Sequence, residues 1–138
     1  MQCEQVWITA RDGTRLAADL YLPSTGNTSP VLLEALPYRK DDLTSESHAD
    51  DYLRLRAEGG FAVCRLDVRG TGSSAGRATD EYPVSELDDL ADVIAWLAAQ
   101  PWSNGRVGMF GYSYSGFNSL QLACERPPAL GAICAIYA

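Results

Sequence analysis

Three short stretches of the chain, "FAVC" from Phe61, "VGMF" from Val107 and "AICAI" from Ala132, are apolar without a break. A strand with one wet face alternates apolar and polar residues, whereas a strand covered on both faces need not. Between the first two runs, Leu87, Leu90, Ala91, Ile94, Leu97 and Ala98 recur at helical spacing, the pattern of a helix that lays one apolar stripe on a sheet. Strands buried on both sides and alternating with amphipathic helices predict an α/β fold with a mostly parallel sheet. The 138 residues, 46% hydrophobic and 21% charged, suffice for one domain with a real core.

The front of the chain differs. Val6 and Ile8, then Leu16, Ala18, Leu20 and Leu22, alternate with less apolar positions, and Asp12-Gly13 lies between them. This predicts an antiparallel hairpin over residues 5–22 with a tight type I′ turn. "VLLEALPY" reads as a buried strand, and a helix is expected from about Asp50 to Glu58, stopped by Gly59-Gly60. Ser85 and Asp88 match a capping box, so the next helix is expected to begin at Ser85 with Glu86, Asp88 and Asp89 near its positive end.

Charge and cysteine usage exclude several classes of function. A formal net charge of -7 disfavours nucleic-acid and anionic-membrane partners, which select basic patches. No apolar run approaches the roughly 18 residues that span a bilayer, and "MQCEQVW" lacks a signal-peptide pattern, so a cytoplasmic protein is expected. Cys64, Cys124 and Cys134 sit in apolar runs and Cys3 near the terminus. They are expected to be reduced thiols, the first three packing like small hydrophobes. No C-x-x-C occurs and His48 is the sole histidine, so neither a metal nor a cofactor is expected.

The chemistry concentrates in "RVGMFGYSYSGFNSLQLA", residues 106–123. An apolar strand reaches Gly111, Ser113 follows, then Gly116, and a helical segment begins at once, a nucleophile-elbow pattern over 107–123. The spacing G-x-S-x-x-G is one residue longer than G-x-S-x-G, and small Ser115 stands where the shorter pattern has its second glycine. A helix starting behind Ser113 would aim free N–H groups at an anion formed there. The alternative is a glycine-bounded turn with an idle serine. "ALPYRKDD" follows a strand where such folds place a second oxyanion donor, which makes Tyr38 O–H and the Tyr114 N–H the candidate pair.

Taken in order, "RDGTRLAADLYLP", "PYRK", "DVRGTGSSAG" and "QPWSNGRVGMFGYSYSG" resemble the cocaine esterase and Xaa-Pro dipeptidyl-peptidase-like branch of the serine α/β-hydrolases, the CocE/NonD type. The resemblance covers nearly the whole chain. It implies an α/β-hydrolase fold in which Ser113 is the nucleophile and Tyr38 and the Tyr114 N–H form the oxyanion hole. It also implies acyl transfer from an ester, amide or Xaa-Pro peptide through an acyl-enzyme. Asp67 would belong to the structural "DVRG" turn, paired with Arg69.

That fold orders its triad Ser, then Asp or Glu, then His. After Ser113 the sole acid is Glu125, in the "ERPP" turn, and no histidine follows. His48 lies far upstream in a polar run and reads as solvated or capping. Residues 1–138 thus read as an incomplete hydrolase domain whose acid, histidine, cap and C-terminal domain lie elsewhere. The expected partners are a small ester, amide or peptide substrate, and either the missing half or a second copy paired through the last strand. Two rival readings remain: a non-catalytic remnant acting as a binding module, and a dinucleotide site at Gly70, Gly72 and Ala75, spaced G-x-G-x-x-A. The latter requires a helix to open at once, and "GRATDEYP" is polar and holds Pro83.

Overall fold

The computed structural model describes residues 3–24, 26–43 and 46–138. Its elements run β1 (Glu4–Thr9), β2 (Arg15–Tyr21), β3 (Ser29–Leu36), α1 (Glu46–Ala57), β4 (Ala62–Asp67), α2 (Val84–Ala98), β5 (Ser103–Tyr112), α3 (Tyr114–Glu125) and β6 (Leu130–Ile136). The strands form one six-stranded sheet in the order β1-β2-β4-β3-β5-β6. β2 runs antiparallel to both neighbours, and β4, β3, β5 and β6 are mutually parallel. The predicted class, a mostly parallel α/β sheet preceded by an antiparallel pair, is the observed one.

Alternate residues of each strand serve opposite faces, and the two faces differ in content. Val31, Leu33, Ala35, Cys64, Leu66, Val107 and Met109 pack with Leu90, Val93, Ile94 and Leu97 of α2 and Leu122 of α3. The other face presents Tyr21, Val63, Leu32 and Phe110 to Tyr52 of α1. Burying one Leu or Ile side chain is worth roughly 1.5–3 kcal/mol, so the α2 side, with its larger apolar cluster, supplies most of the packing energy.

Several local expectations change. The hairpin loop is Arg11, Asp12 and Gly13, longer than a two-residue turn. Gly13 N–H donates to Ala10 O at 2.8 Å, Ala10 N–H to Thr14 O at 2.9 Å, and Gly13 has φ 87°. That is a three-residue loop with its left-handed position filled by glycine. α1 begins at Glu46 rather than near Asp50, because its first turn is polar and carries no periodicity to read; residues 44–45 lie outside the described residues. α2 begins at Val84 with Pro83 as its N-cap and no side-chain cap. The Ser85–Asp88 box does not form, and Asp88 pairs with Arg11 at 3.2 Å. All four cysteines are free, but only Cys64 is buried, and Cys124 and Cys134 are exposed. Cys134 lies on β6, which pairs with β5 alone, so "GAICAIY" is apolar without being covered by the described residues.

Candidate active site at the end of β5

β5 ends at Tyr112 and α3 begins at Tyr114, so a single residue makes the turn. That residue, Ser113, has φ 54° and ψ -112°, a conformation that costs a non-glycine residue about 1–3 kcal/mol. Its backbone is held at both ends: its N–H donates to Ile136 O and its carbonyl accepts the Phe117 N–H, each at 2.9 Å. Phe117 is thus the first residue of α3 to bond back along the helix, which leaves the N–H groups of Tyr114, Ser115 and Gly116 without intrahelical acceptors.

The six-residue spacing has a steric cause. A Cβ on Gly111 would lie 1.8 Å from Ser115 Oγ, and one on Gly116 would lie 2.9 Å from Gly111 O and 3.1 Å from Ile136 O. Both glycines let α3 start against the strand ends. Ser115 is fully buried; its hydroxyl lies 3.1 Å from Tyr112 O and 3.4 Å from Glu34 Oε1. A second glycine at 115 would leave that space unfilled and the carboxylate without this donor.

Tyr114 is fixed at its far end. Its hydroxyl donates to Glu86 Oε2 at 3.1 Å and accepts the Tyr82 N–H at 3.2 Å. Its ring stacks on Tyr82 at 4.2 Å and meets Tyr38 edge-on at 6.4 Å. Burial, reinforced by the Glu86 charge and opposed by the Tyr82 N–H, pushes the phenol up to about 12. Glu86 also accepts from Asn118 Nδ2 at 2.8 Å. Burial raises its pKa against those two hydrogen bonds. Tyr38, in the loop after β3, is 51% exposed. Tyr38, Tyr114, Glu86, Arg69, Arg77 and Pro83 line a cavity of about 250 Å³. Ser113, the Tyr114 backbone and Tyr38 therefore share one end of the sheet.

Sequence reasoning passed over Glu34. This carboxylate is 2% exposed in the middle of β3. Tyr52 O–H donates to its Oε2, and burial raises its pKa against that bond, His48 and Arg65. The strand registers place Asp19 beside Arg65 and Arg65 beside Glu34, a row of buried charges across β2, β4 and β3. The Arg65 guanidinium also lies 5.8 Å over the Tyr52 ring. The signal in the sequence was a lone acid in an otherwise apolar run. His48 neither caps α1 nor stands free; it is half-buried and stacks on Tyr52 at 6.5 Å, beside a cavity of about 520 Å³ that Glu34, Phe110 and Tyr112 also line.

Asp67 does not pair with Arg69. Arg69 bonds Asp89 at 2.6 and 2.7 Å, Thr14 at 2.7 Å and Asp12 at 2.8 Å, tying the hairpin loop to α2. Asp67 instead accepts backbone N–H groups from Lys40 and Ser73. Gly70 N–H closes onto Ala75 O at 2.9 Å, and after β4 no helix begins until Val84, so the G-x-G-x-x-A segment is a closed loop and lacks the geometry of a dinucleotide fingerprint. Among the described residues, no helix is long and apolar enough to cross a membrane.

An antiparallel pair leading into parallel strands, with a strained serine between β5 and its helix, defines an α/β-hydrolase-like domain. Residues 12–138 match the X-Pro dipeptidyl-peptidase (S15) family, and the chain belongs to it. It is 38% identical over 128 residues to the cocaine esterase of Rhodococcus sp. strain MB1 Bresler, an alignment spanning 93% of this chain and 22% of that protein. A CocE/NonD family hydrolase from Staphylococcus aureus superposes with a TM-score of 0.82 at 24% identity, over 95% of this chain and 26% of the other. An α-amino acid ester hydrolase superposes with a TM-score of 0.74 at 31% identity, over 95% and 24%. The chain thus spans about a quarter of the length of these relatives. The family points to a serine hydrolase of the esterase or peptidase kind.

Proposed function

We propose that this chain carries the acylation centre of a serine hydrolase acting on esters or amides, with Ser113 as nucleophile and Tyr38 O–H and the Tyr114 N–H as oxyanion donors. The observation that carries the reading is the Ser113 backbone, φ 54° and ψ -112°, at a one-residue junction between β5 and α3. Strain of this kind persists where the surroundings hold it, and it gathers at functional sites.

In this reading Ser113 Oγ bonds the substrate carbonyl carbon and its proton passes to a base. The carbonyl electrons move onto oxygen, where the two donors stabilise the charge. Collapse expels the alcohol or amine, which takes the proton, and water later cleaves the acyl-enzyme. Glu86 acts through Tyr114, holding the phenol of the residue whose backbone N–H is the proposed donor. The base is assigned to polypeptide outside these 138 residues, since no histidine follows Ser113 and His48 is stacked on Tyr52 in α1.

Ester turnover and fluorophosphonate labelling test this, each compared with Ser113→Ala. The isolated chain is expected to react no faster than the variant. Strong labelling that Ser113→Ala abolishes would place a base within these residues, with His48 the first suspect. Substituted for the matching segment of the Rhodococcus cocaine esterase, the chain is expected to label at Ser113. A folded fusion that does not label there would overturn the assignment.

A further inference from the structure

The loops after β3 and β4 are joined by a closed ring of polar contacts. Asp67, the last residue of β4, is 1% exposed. Its Oδ1 accepts the Lys40 N–H at 2.6 Å and its Oδ2 accepts the Ser73 N–H at 2.9 Å. Lys40 Nζ bonds Asp41 at 2.8 Å and lies 3.0 Å from Asp19, the latter an ion pair without an aligned hydrogen bond. Ser73 Oγ donates to Asp41 at 2.8 Å, which closes the ring. Gly72 is required there, because a Cβ at φ 52° would lie 2.0 Å from Asp67 Oδ2. Burial works against the Lys40 ammonium, but its hydrogen bond to Asp41 and the adjacent Asp19 carboxylate outweigh burial and raise its pKa.

This ring bears on Tyr38 through the backbone. Two residues before Tyr38, Leu36 pairs with Asp67 in the sheet, and its carbonyl accepts the Val68 N–H at 3.1 Å. Two residues after it, Lys40 is bound to Asp67. Between them Arg39 sits at φ 60°, a left-handed turn that a non-glycine residue keeps only where its neighbours are fixed. Tyr38 itself is half exposed and touches the Tyr114 ring only by an edge. Its direction is therefore inherited from anchors on either side, both seated at the end of β4.

We propose that the Asp67–Lys40–Asp41–Ser73 ring is a positioning device that sets the direction of the Tyr38 phenol at the elbow, with Asp67 as its hub. None of its members touches the reacting atoms. Its catalytic meaning rests on Tyr38 being the oxyanion donor proposed above; its effect on Tyr38 does not. A ring whose loss only lowered global stability would leave both fluorine lines of the folded protein where they are.

The test places 3-fluorotyrosine at position 38 or, as an internal control, at position 52, and follows fluorine NMR of the whole chain. Asp67→Asn keeps one acceptor but turns the other toward Ser73 as a donor, so one arm must break. Asp41→Ala removes the ring's outer member, whose side chain is 49% exposed, without opening the core. In both variants the Tyr38 line is expected to move toward that of free fluorotyrosine while the Tyr52 line stays. In Asp67→Asn the Ser73 amide, which loses its acceptor, should exchange roughly ten- to a hundredfold faster. A Tyr38 line unmoved in Asp41→Ala and in folded Asp67→Asn overturns the proposal. If Asp67→Asn displaces the Tyr52 line as well, Asp41→Ala alone decides by the same criterion. Failure of the oxyanion reading looks different: in the esterase fusion, Tyr38→Phe would hydrolyse as fast as the parent while the fluorine shifts still occurred.

Discussion

Replacing Ser113 by glycine should make the protein more stable. The backbone at φ 54°, ψ -112° costs a side-chain-bearing residue about 1–3 kcal/mol and glycine almost nothing. Glycine brings back about 0.5–1 kcal/mol of unfolded-chain entropy. The serine makes no capping hydrogen bond from its side chain, so little else is lost. The net gain is about 1 kcal/mol, or roughly 2–5 °C in Tm for a domain of this size. Ser113→Ala keeps the Cβ and therefore the strain, and it should melt within about 0.5 kcal/mol of the parent. Thermal and urea unfolding of the three proteins, followed by circular dichroism, give the comparison. The glycine-minus-alanine difference isolates backbone strain from the loss of the hydroxyl. If Ser113→Gly is no more stable than Ser113→Ala, the turn is not strained and the main support for the nucleophile assignment goes with it.

Gly111→Ala should do the reverse and destabilise by about 3 kcal/mol in urea unfolding, since its Cβ would meet Ser115 Oγ at 1.8 Å; a loss under 1 kcal/mol would mean that α3 can shift freely. Burial raises the Glu34 pKa in the folded protein, so the folded state holds that proton to higher pH than the unfolded chain. Its ionisation therefore subtracts stability as pH rises above the unfolded value of about 4.3. Glu34→Gln removes this, and its stability relative to the parent should improve from pH 4 to pH 7; a pH-independent difference would refute the sign. The free edge of β6 should pair with a second copy, giving concentration-dependent association in size-exclusion chromatography that Ala135→Lys, on an exposed residue of that strand, abolishes. A parent chain that elutes as a monomer at every concentration would refute this.

The parts of the fold that could be read in the sequence are those encoded by nearest neighbours. Continuous apolar runs gave the parallel strands, alternation gave the hairpin, and Gly111 and Gly116 gave the tight strand-to-helix turn, because each signal is local in the chain. The missed features are relations between elements. Asp19, Arg65 and Glu34 form a row only because β4 inserts between β2 and β3, which no local pattern states. Asp67 was assigned to Arg69, two residues away, when its partners are the backbones of Lys40 and Ser73. Cys134 was expected inside because its strand is apolar, but exposure depends on whether a further strand follows in space. Apolar composition says what a segment can bury, not whether anything covers it.

The departure from the shorter glycine pattern carries its own lesson. Ser115 occupies a glycine's place in the five-residue motif, yet it is fully buried and its hydroxyl faces both the Tyr112 carbonyl and Glu34. Glu34 in turn is held by Tyr52 of α1. The turn is thus braced from beneath by a carboxylate on β3, while Tyr114 is braced from the side by a second buried carboxylate, Glu86 of α2. Burial raises the pKa of both acids, so the fold spends stability to keep them where they are. Two desolvated acids set against Tyr114 and Ser115, the two residues that follow Ser113, are hard to explain by packing alone, since apolar side chains would fill the same space at less cost. They are explained if the direction of the Tyr114 N–H and the strain at Ser113 are what the surrounding residues are arranged to hold.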